Sequence, residues 1–158
     1  MKLVGNKIVW NGERLFLRGY GDDGAYATTA APPTDRDFYT RQLRYMKDLG
    51  FNFIRFHTHS MPAEFFDVAD ELGFLCNPEF ALTHEATPTR LPGWLNNSLV
   101  RRVYNTSFTS LVQRHAYRPS IFSWVLSNEM YFKNTTKYWF DSGDNSILFV
   151  QLYRYAKS

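Results

Sequence analysis

Short apolar, β-prone runs alternate along this chain with segments of helical period, and that alternation confines it to a parallel sheet with helices packed on a face. The run over 15–19 follows Lys7-Ile8-Val9-Trp10 and an Asn11-Gly12 turn, so a small hairpin is expected to lead into the first strand of the sheet. Thr34 is expected to cap a helix whose apolar side includes Tyr39, Leu43, Met46 and Leu49, with Gly50 as its stop. A second strand is expected over 51–59. Pro62 then starts a helix through Phe65, Phe66, Ala69 and Leu72, and Gly73 ends it before a third strand over 74–80. A Pro- and Thr-rich loop over 81–94 and a longer helix over 96–114 lead to a fourth strand, and residues 147–156 suit one more helix.

The fourth strand carries the most chemistry. Pro119 favours an extended entry, residues 121–126 are too hydrophobic for an exposed strand, and Asn128-Glu129 follows at the carboxyl end. Strand alternation sets Phe53, Arg55, His57 and His59 on one side of the second strand, opposite Ile54 and Phe56. It also groups Arg18 with Tyr20, Asn77 with Glu79, and Ser127 with Glu129. One face lies under helices while the other becomes polar at the carboxyl rim, as in a (β/α) barrel, where acids, bases and nucleophiles stand at that rim. The expected fold class is therefore α/β: a single domain over 1–158 forming half of a (β/α)8 barrel, with about four βα units after a short N-terminal hairpin.

Composition narrows the partners. Eighteen scattered basic residues against 15 acidic ones give a net charge of only +3, which supports no nucleic-acid surface. No apolar run approaches membrane-spanning length, and Met1-Lys2-Leu3-Val4-Gly5-Asn6 lacks the hydrophobic region of a secretory signal, so the expected location is cytoplasmic with no membrane partner. The single cysteine, Cys76, falls in an apolar run and reads as a small core residue.

At this point the sequence resembles a known family. Asn11-Gly12-Glu13-Arg14-Leu15-Phe16-Leu17-Arg18-Gly19 is similar to the entry strand of the catalytic barrel in glycoside hydrolase family 2, the β-galactosidase, β-glucuronidase and β-mannosidase group. Met46-Lys47-Asp48-Leu49-Gly50-Phe51-Asn52-Phe53-Ile54-Arg55 resembles its first helix and second strand. Ala69-Asp70-Glu71-Leu72-Gly73 with Glu79 resembles the next crossover, and Arg118-Pro119-Ser120 through Asn128-Glu129 the acid/base strand. Ser127 stands where members often carry Gly, and the surroundings of His57 and His59 match only loosely. The resemblance implies that Glu129 is the general acid/base and that Asn128 holds a sugar hydroxyl beside the reacting carbon. It implies for Glu79 a supporting role by hydrogen bonding or cation placement.

A complete barrel of this kind takes ~250 residues and eight strands, so the N-terminal half alone lacks the seventh-strand nucleophile and would leave open sheet edges. A twofold homodimer is the simplest completion, and it would carry Glu79 of a second chain toward the nucleophile position opposite Glu129. Arg18 and Arg55 are candidates to bind sugar hydroxyls or orient the carboxylates, and His57 and His59 to bind hydroxyls. Trp94 and Trp139 are candidate stacking platforms for a pyranose, within a chain that is 18% aromatic. No cofactor or metal is expected for that glycosidase reading. Two alternatives stay open: a non-catalytic carbohydrate-binding or self-assembling half-barrel, and a metal-dependent barrel hydrolase using His57 and His59.

Overall fold

The computed structural model describes residues 2–80 and 98–125. Its first layer is a three-stranded antiparallel sheet of β1 (Lys2–Val4), β2 (Lys7–Trp10) and β3 (Glu13–Leu15). Asn11 and Gly12 both take positive φ, 51° and 89°, which is the geometry of the tight turn whose twist matches that of its flanking strands. The hairpin is thus as expected, and β1 adds a strand that the periodicity did not reveal.

Residues 15–19 do not form one strand. Leu15 closes β3, and a separate strand, β4 (Gly19–Asp22), opens the second sheet. The helix α1 (Arg36–Asp48) follows, with Asp35 rather than Thr34 as its cap. The Asp35 carboxylate accepts from the backbone N–H of Asp37 at 2.9 Å and of Phe38 at 3.2 Å, satisfying donors that helix geometry leaves unpaired. Tyr39 and Leu43 are buried as expected, whereas Leu49 lies past the last turn and is exposed.

β5 (Phe53–Phe56), α2 (Ala63–Leu72) and β6 (Leu75–Asn77) complete two crossovers, and the sheet order β4-β5-β6 is parallel throughout. Pro62 caps α2 from outside the helix, and Gly73 ends it in a left-handed conformation at φ 63°. α1 and α2 cover one face of this sheet. Ile54, Phe56, Phe65, Phe66, Phe74 and Cys76 are fully buried there, each large apolar side chain contributing about 1.5–3 kcal/mol against the entropy of ordering the chain. Fourth in line comes α3 (Ser98–His115), which buries Phe108 against Phe80 and Trp124.

Lateral pairing decides which side chains share a face. Tyr20 is level with Ile54, and Ile54 with Cys76, so Tyr20 belongs to the helix-covered row and packs edge-on against Phe51 and Phe74. The grouping of Tyr20 with a polar inner row is corrected by this register. On the inner row Gly19 and Gly21 stand level with Phe53 and Arg55, and a Cβ on Gly19 would come within 2.5 Å of the Phe53 ring. The floor of that face is aromatic: Phe53 and Trp10 both meet Phe122.

The fourth strand is present among the described residues as two parallel bridges, Cys76 with Ile121 and Glu79 with Val125. The backbone N–H of Cys76 donates to Ser120 at 2.7 Å and that of Phe122 to Cys76 at 2.8 Å; higher up, Val125 donates to Pro78 and Phe80 to Val125. The base of this segment is tied to α2. Arg118, almost wholly buried, places one guanidinium nitrogen between Asp67 at 2.8 Å and Asp70 at 2.9 Å, and the other Asp70 oxygen accepts from the Ser120 backbone at 2.9 Å. Among the described residues, no helix is long and apolar enough to cross a membrane.

Just before this tie, His115 is buried, with its ring 4.5 Å from that of Phe66. Burial, reinforced by Arg118 and Arg114, lowers its pKa from 6.5 to about 4. The unfolded chain therefore binds this proton first, so stability is complete above pH 6.5 and falls as the pH drops through 4. Urea unfolding should show a loss of about 3 kcal/mol across that window from this residue, and His115→Gln should flatten it. An unchanged pH slope in the variant would refute the assignment.

Candidate active site

At the carboxyl end of the sheet Arg55 of β5 meets Glu79, two residues past β6, on the inner row, while Asp22, which ends β4 level with Phe56, falls on the helix-covered row. Glu79 is the most unusual of them: its side chain is fully buried, and one carboxylate oxygen accepts from Arg55 at 2.6 Å. Arg55 and Asn77 are level on the inner row, so β5 supplies the guanidinium and β6 leads directly to its carboxylate. The second Glu79 oxygen is buried and has no hydrogen-bond partner among the described residues. Desolvation raises the Glu79 pKa above the ordinary carboxylate range, opposed by Arg55, by the Thr58 backbone N–H and by His57 and His59.

His57 and His59 do not lie on one strand face. β5 ends at Phe56, and Thr58 takes φ 63°, a left-handed conformation that a β-branched residue rarely adopts. The turn gives each histidine its own acid: His57 Nδ1 is 3.2 Å from Asp23, and His59 Nε2 is 3.6 Å from Asp22, while His59 Nδ1 meets the His57 carbonyl at 2.9 Å. Gly24, at φ 71°, lets the chain pass against the His59 ring, and its N–H donates to Asp22 at 2.7 Å. Asp22 also accepts from the Tyr26 hydroxyl at 3.1 Å. Among the described residues, no three His, Cys, Asp or Glu side chains converge as ligands of a metal ion would.

The sequence pointed to Glu79, Arg55, His57 and His59, and the structure gathers all four. It does not bring Arg18 to them. The Arg18 guanidinium donates to the Gly50 carbonyl at 2.7 Å and its backbone N–H to the Asn52 side chain at 2.8 Å, which places it before β4 and β5, at the amino end of the sheet. Glu129, Asn128, Trp94 and Trp139 lie outside the described residues. Asp22, Asp23 and Thr58 were missed; the one available signal was the Asp-Asp-Gly run directly after the first parallel strand.

A parallel βα sheet with an arginine–carboxylate pair at its carboxyl end defines the class, an α/β fold. Comparison with known proteins narrows it. The chain is 30% identical over 137 residues to a β-galactosidase of Arthrobacter sp., covering 82% of this chain and 13% of that protein. It is 40% identical over 68 residues to an exo-β-D-glucosaminidase of Streptomyces avermitilis, covering 43% and 7%. Among solved structures, the β-glucuronidase of Parabacteroides merdae superposes with a TM-score of 0.71 at 27% identity, over 92% of this chain and 17% of that one. The β-glucuronidase of Ruminococcus gnavus shares the fold, with a TM-score of 0.75 at 18% identity, over 98% and 25%. No sequence-family profile matches. The chain is thus a relative of the family 2 glycoside hydrolases and has their scaffold, spanning 7 to 15% of the length of the curated relatives it matches.

The Arg55–Glu79 pair should behave as a unit. Arg55→Met should cost on the order of 1–2 kcal/mol in urea unfolding, the arginine being part-exposed, and Glu79→Gln in that background should restore most of it. Because the folded carboxyl holds its proton more tightly than the unfolded one, Glu79's contribution is complete below the unfolded range and declines as pH rises through the folded value. Glu79→Gln alone should remove that decline, and additive losses in the double variant would count against the pair.

Proposed function

We propose that this chain supplies the acid/base half of a glycosidase active site, acting on a carbohydrate substrate. The observation that carries the reading is the buried Glu79–Arg55 pair at the carboxyl end of a parallel sheet whose relatives are named β-galactosidase, exo-β-D-glucosaminidase and β-glucuronidase. Glu129, four residues beyond Val125, is the general acid/base: it protonates the departing glycosidic oxygen and recovers the proton in the second step. Asn128 holds a hydroxyl next to the reacting carbon. Arg55 keeps Glu79 in place, and Glu79 serves the site by hydrogen bonding, a role its own ion pair suits better than attack on carbon. His57, with Nδ1 beside Asp23, presents its other ring nitrogen to the sugar, while His59, whose two ring nitrogens face the His57 carbonyl and Asp22, shapes the turn that places it, and Trp94 and Trp139 offer stacking faces.

The chain is, in this reading, a single half-barrel domain, and the missing wall with its nucleophile comes from a second half. A second copy of the chain is the simplest source, related by a twofold axis. In that assembly the partner's Glu79 would approach Glu129 across the barrel, and only a separation of about 5 Å would give it the nucleophile's place in a retaining reaction instead of the supporting role. Without a second half, the chain would bind sugar and not turn it over.

Aryl β-glycosides of several sugars, offered to the protein alongside measurement of its mass in solution, test the proposal. Hydrolysis by a dimer, reduced by a factor of about 10² or more in Glu129→Gln, is the expected result. Hydrolysis that survives the substitution would overturn the role of Glu129, and a monomer without sugar affinity would overturn the reading as a whole.

A further inference from the structure

At the end of the sheet opposite Glu79, the hairpin turn after β2 meets the end of α2 and the base of the fourth strand. Between them lies a cleft of about 330 Å³, lined by Trp10, Asn11, Asp70, Leu75, Pro119 and Ser120 among others. From Leu75 to Glu79 the chain advances four extended residues, ~13 Å, so the cleft is remote from the rim. Its size and its walls both suit a small molecule: apolar surface from an indole, a leucine and a proline, with a few polar groups set among it.

The walls are fixed before any ligand arrives. Trp10 is paired with Glu13 across the hairpin, and its ring centre lies 6.0 Å from that of Phe122. Asn11 is held at φ 51° by the turn, and Leu75 is buried and paired with Phe53. Asp70 is anchored by Arg118 and by the Ser120 backbone N–H. Little ordering is left to oppose binding.

Charge then selects the class of ligand. Arg118 is shared by Asp67 and Asp70, and the Lys47 ammonium donates to the Leu72 carbonyl at the end of α2, so two cations stand against two carboxylates. The carbonyls of Ala69 and Asp70 are also taken, by the N–H groups of Phe74 and Gly73. An ion thus finds no unbalanced charge and no open helix end among these residues. Hydrogen-bonding capacity does remain. Each Asp70 oxygen accepts one bond, half of what a carboxylate can take, and the exposed Asn11 brings an amide with donors and an acceptor. The Ser120 hydroxyl is buried and has no oxygen or nitrogen partner among the described residues, the Cys76 thiol beside it being a weak one. A purely apolar ligand would strip water from Asp70 and Asn11 and return no hydrogen bond. A neutral molecule with hydroxyl donors at its edge and one apolar face meets every requirement, and a pyranose is such a molecule.

We propose that this cleft at the amino end of the sheet binds a single pyranose unit and takes no part in bond cleavage. The C–H face of the sugar lies on Trp10, its hydroxyls donate to the remaining lone pairs of Asp70, and Asn11 exchanges hydrogen bonds with it. The assignment stands without the reading of Glu79 or Glu129.

The test titrates the 15N-labelled full chain with methyl β-D-galactoside and with methyl β-D-glucoside while amide shifts are followed. Saturable shifts at Asn11, Gly73, Leu75 and Ser120, with millimolar affinity, are expected. Asn11→Gly, which suits the positive φ and removes the amide, should weaken binding at these positions about 10-fold, and Trp10→Leu should do the same. Shifts at Arg55 and His57 produced by a sugar at the rim should be the same in both variants, and their presence or absence judges the rim proposal separately. If Trp10→Leu does not fold, Asn11→Gly decides alone. No saturable shift at the four positions up to ~100 mM sugar, or unchanged affinity in a folded variant, would overturn the site. A stronger response there to indole or to choline than to either sugar would overturn the ligand class.

Discussion

The parallel register between β5 and β6 is the constraint from which the rim follows, because in a parallel sheet laterally paired residues point the same way. Pairing Ile54 with Cys76 commits that row to the helices, and the next pairing, Arg55 with Asn77, then falls on the inner face. Two residues further along the chain, Glu79 reaches back to Arg55 while its backbone N–H binds the His59 carbonyl at 3.3 Å. The hydrophobic burial of Ile54, Phe56 and Cys76 and the polarity of Arg55, Asn77 and Glu79 are two results of one registration. A shift of one residue would turn Arg55 under α1 and α2 and Ile54 and Phe56 away from them, at a cost of several kcal/mol.

Around that frame the rim is assembled by departures from regular structure. Thr58 leaves the strand conformation and directs its N–H at Glu79, and Gly24 makes room for the His59 ring. Between the bridges Cys76–Ile121 and Glu79–Val125 the fourth segment carries one residue more than the third, a bulge at which Phe122 meets Phe53 and Ser123 accepts from Asn77 on the same inner face. Thr58 costs stability locally, of the order of 1–3 kcal/mol for a non-glycine residue held in a sparsely populated backbone region, whereas Gly24 adopts its positive φ without that cost. Each departure is surrounded by contacts that fix it: the His–Asp pairs at the first two, the Asp70–Arg118 tie at the third.

The same division separates what the sequence discloses from what it conceals. Helix ends were readable because Gly50 and Gly73 occupy left-handed positions that other residues avoid, and the Asn11-Gly12 hairpin was readable for the same reason. The cap of α1 was misplaced by one residue, since Thr34 and Asp35 are both good caps and only geometry chooses between them. Tyr20 was assigned to the wrong face because alternation gives the period of a strand and not its phase against a neighbour. Glu79, Arg55, His57 and His59 were identifiable as polar groups near strand ends, but the aspartate partners of the histidines were not, since the turn at Thr58 has no local sequence signature. Arg18 looked like a rim residue for want of any signal that the first strand begins after it.

The central proposal is that Glu79, buried and held by Arg55, lies in a carbohydrate-binding site. Its side-chain carboxyl carbon can be observed directly by NMR, in a pH titration run with and without methyl β-D-galactoside. A midpoint above the ordinary carboxylate range that moves when the sugar is added is the result this proposal predicts. An ordinary midpoint, with a resonance indifferent to the sugar, would contradict the account.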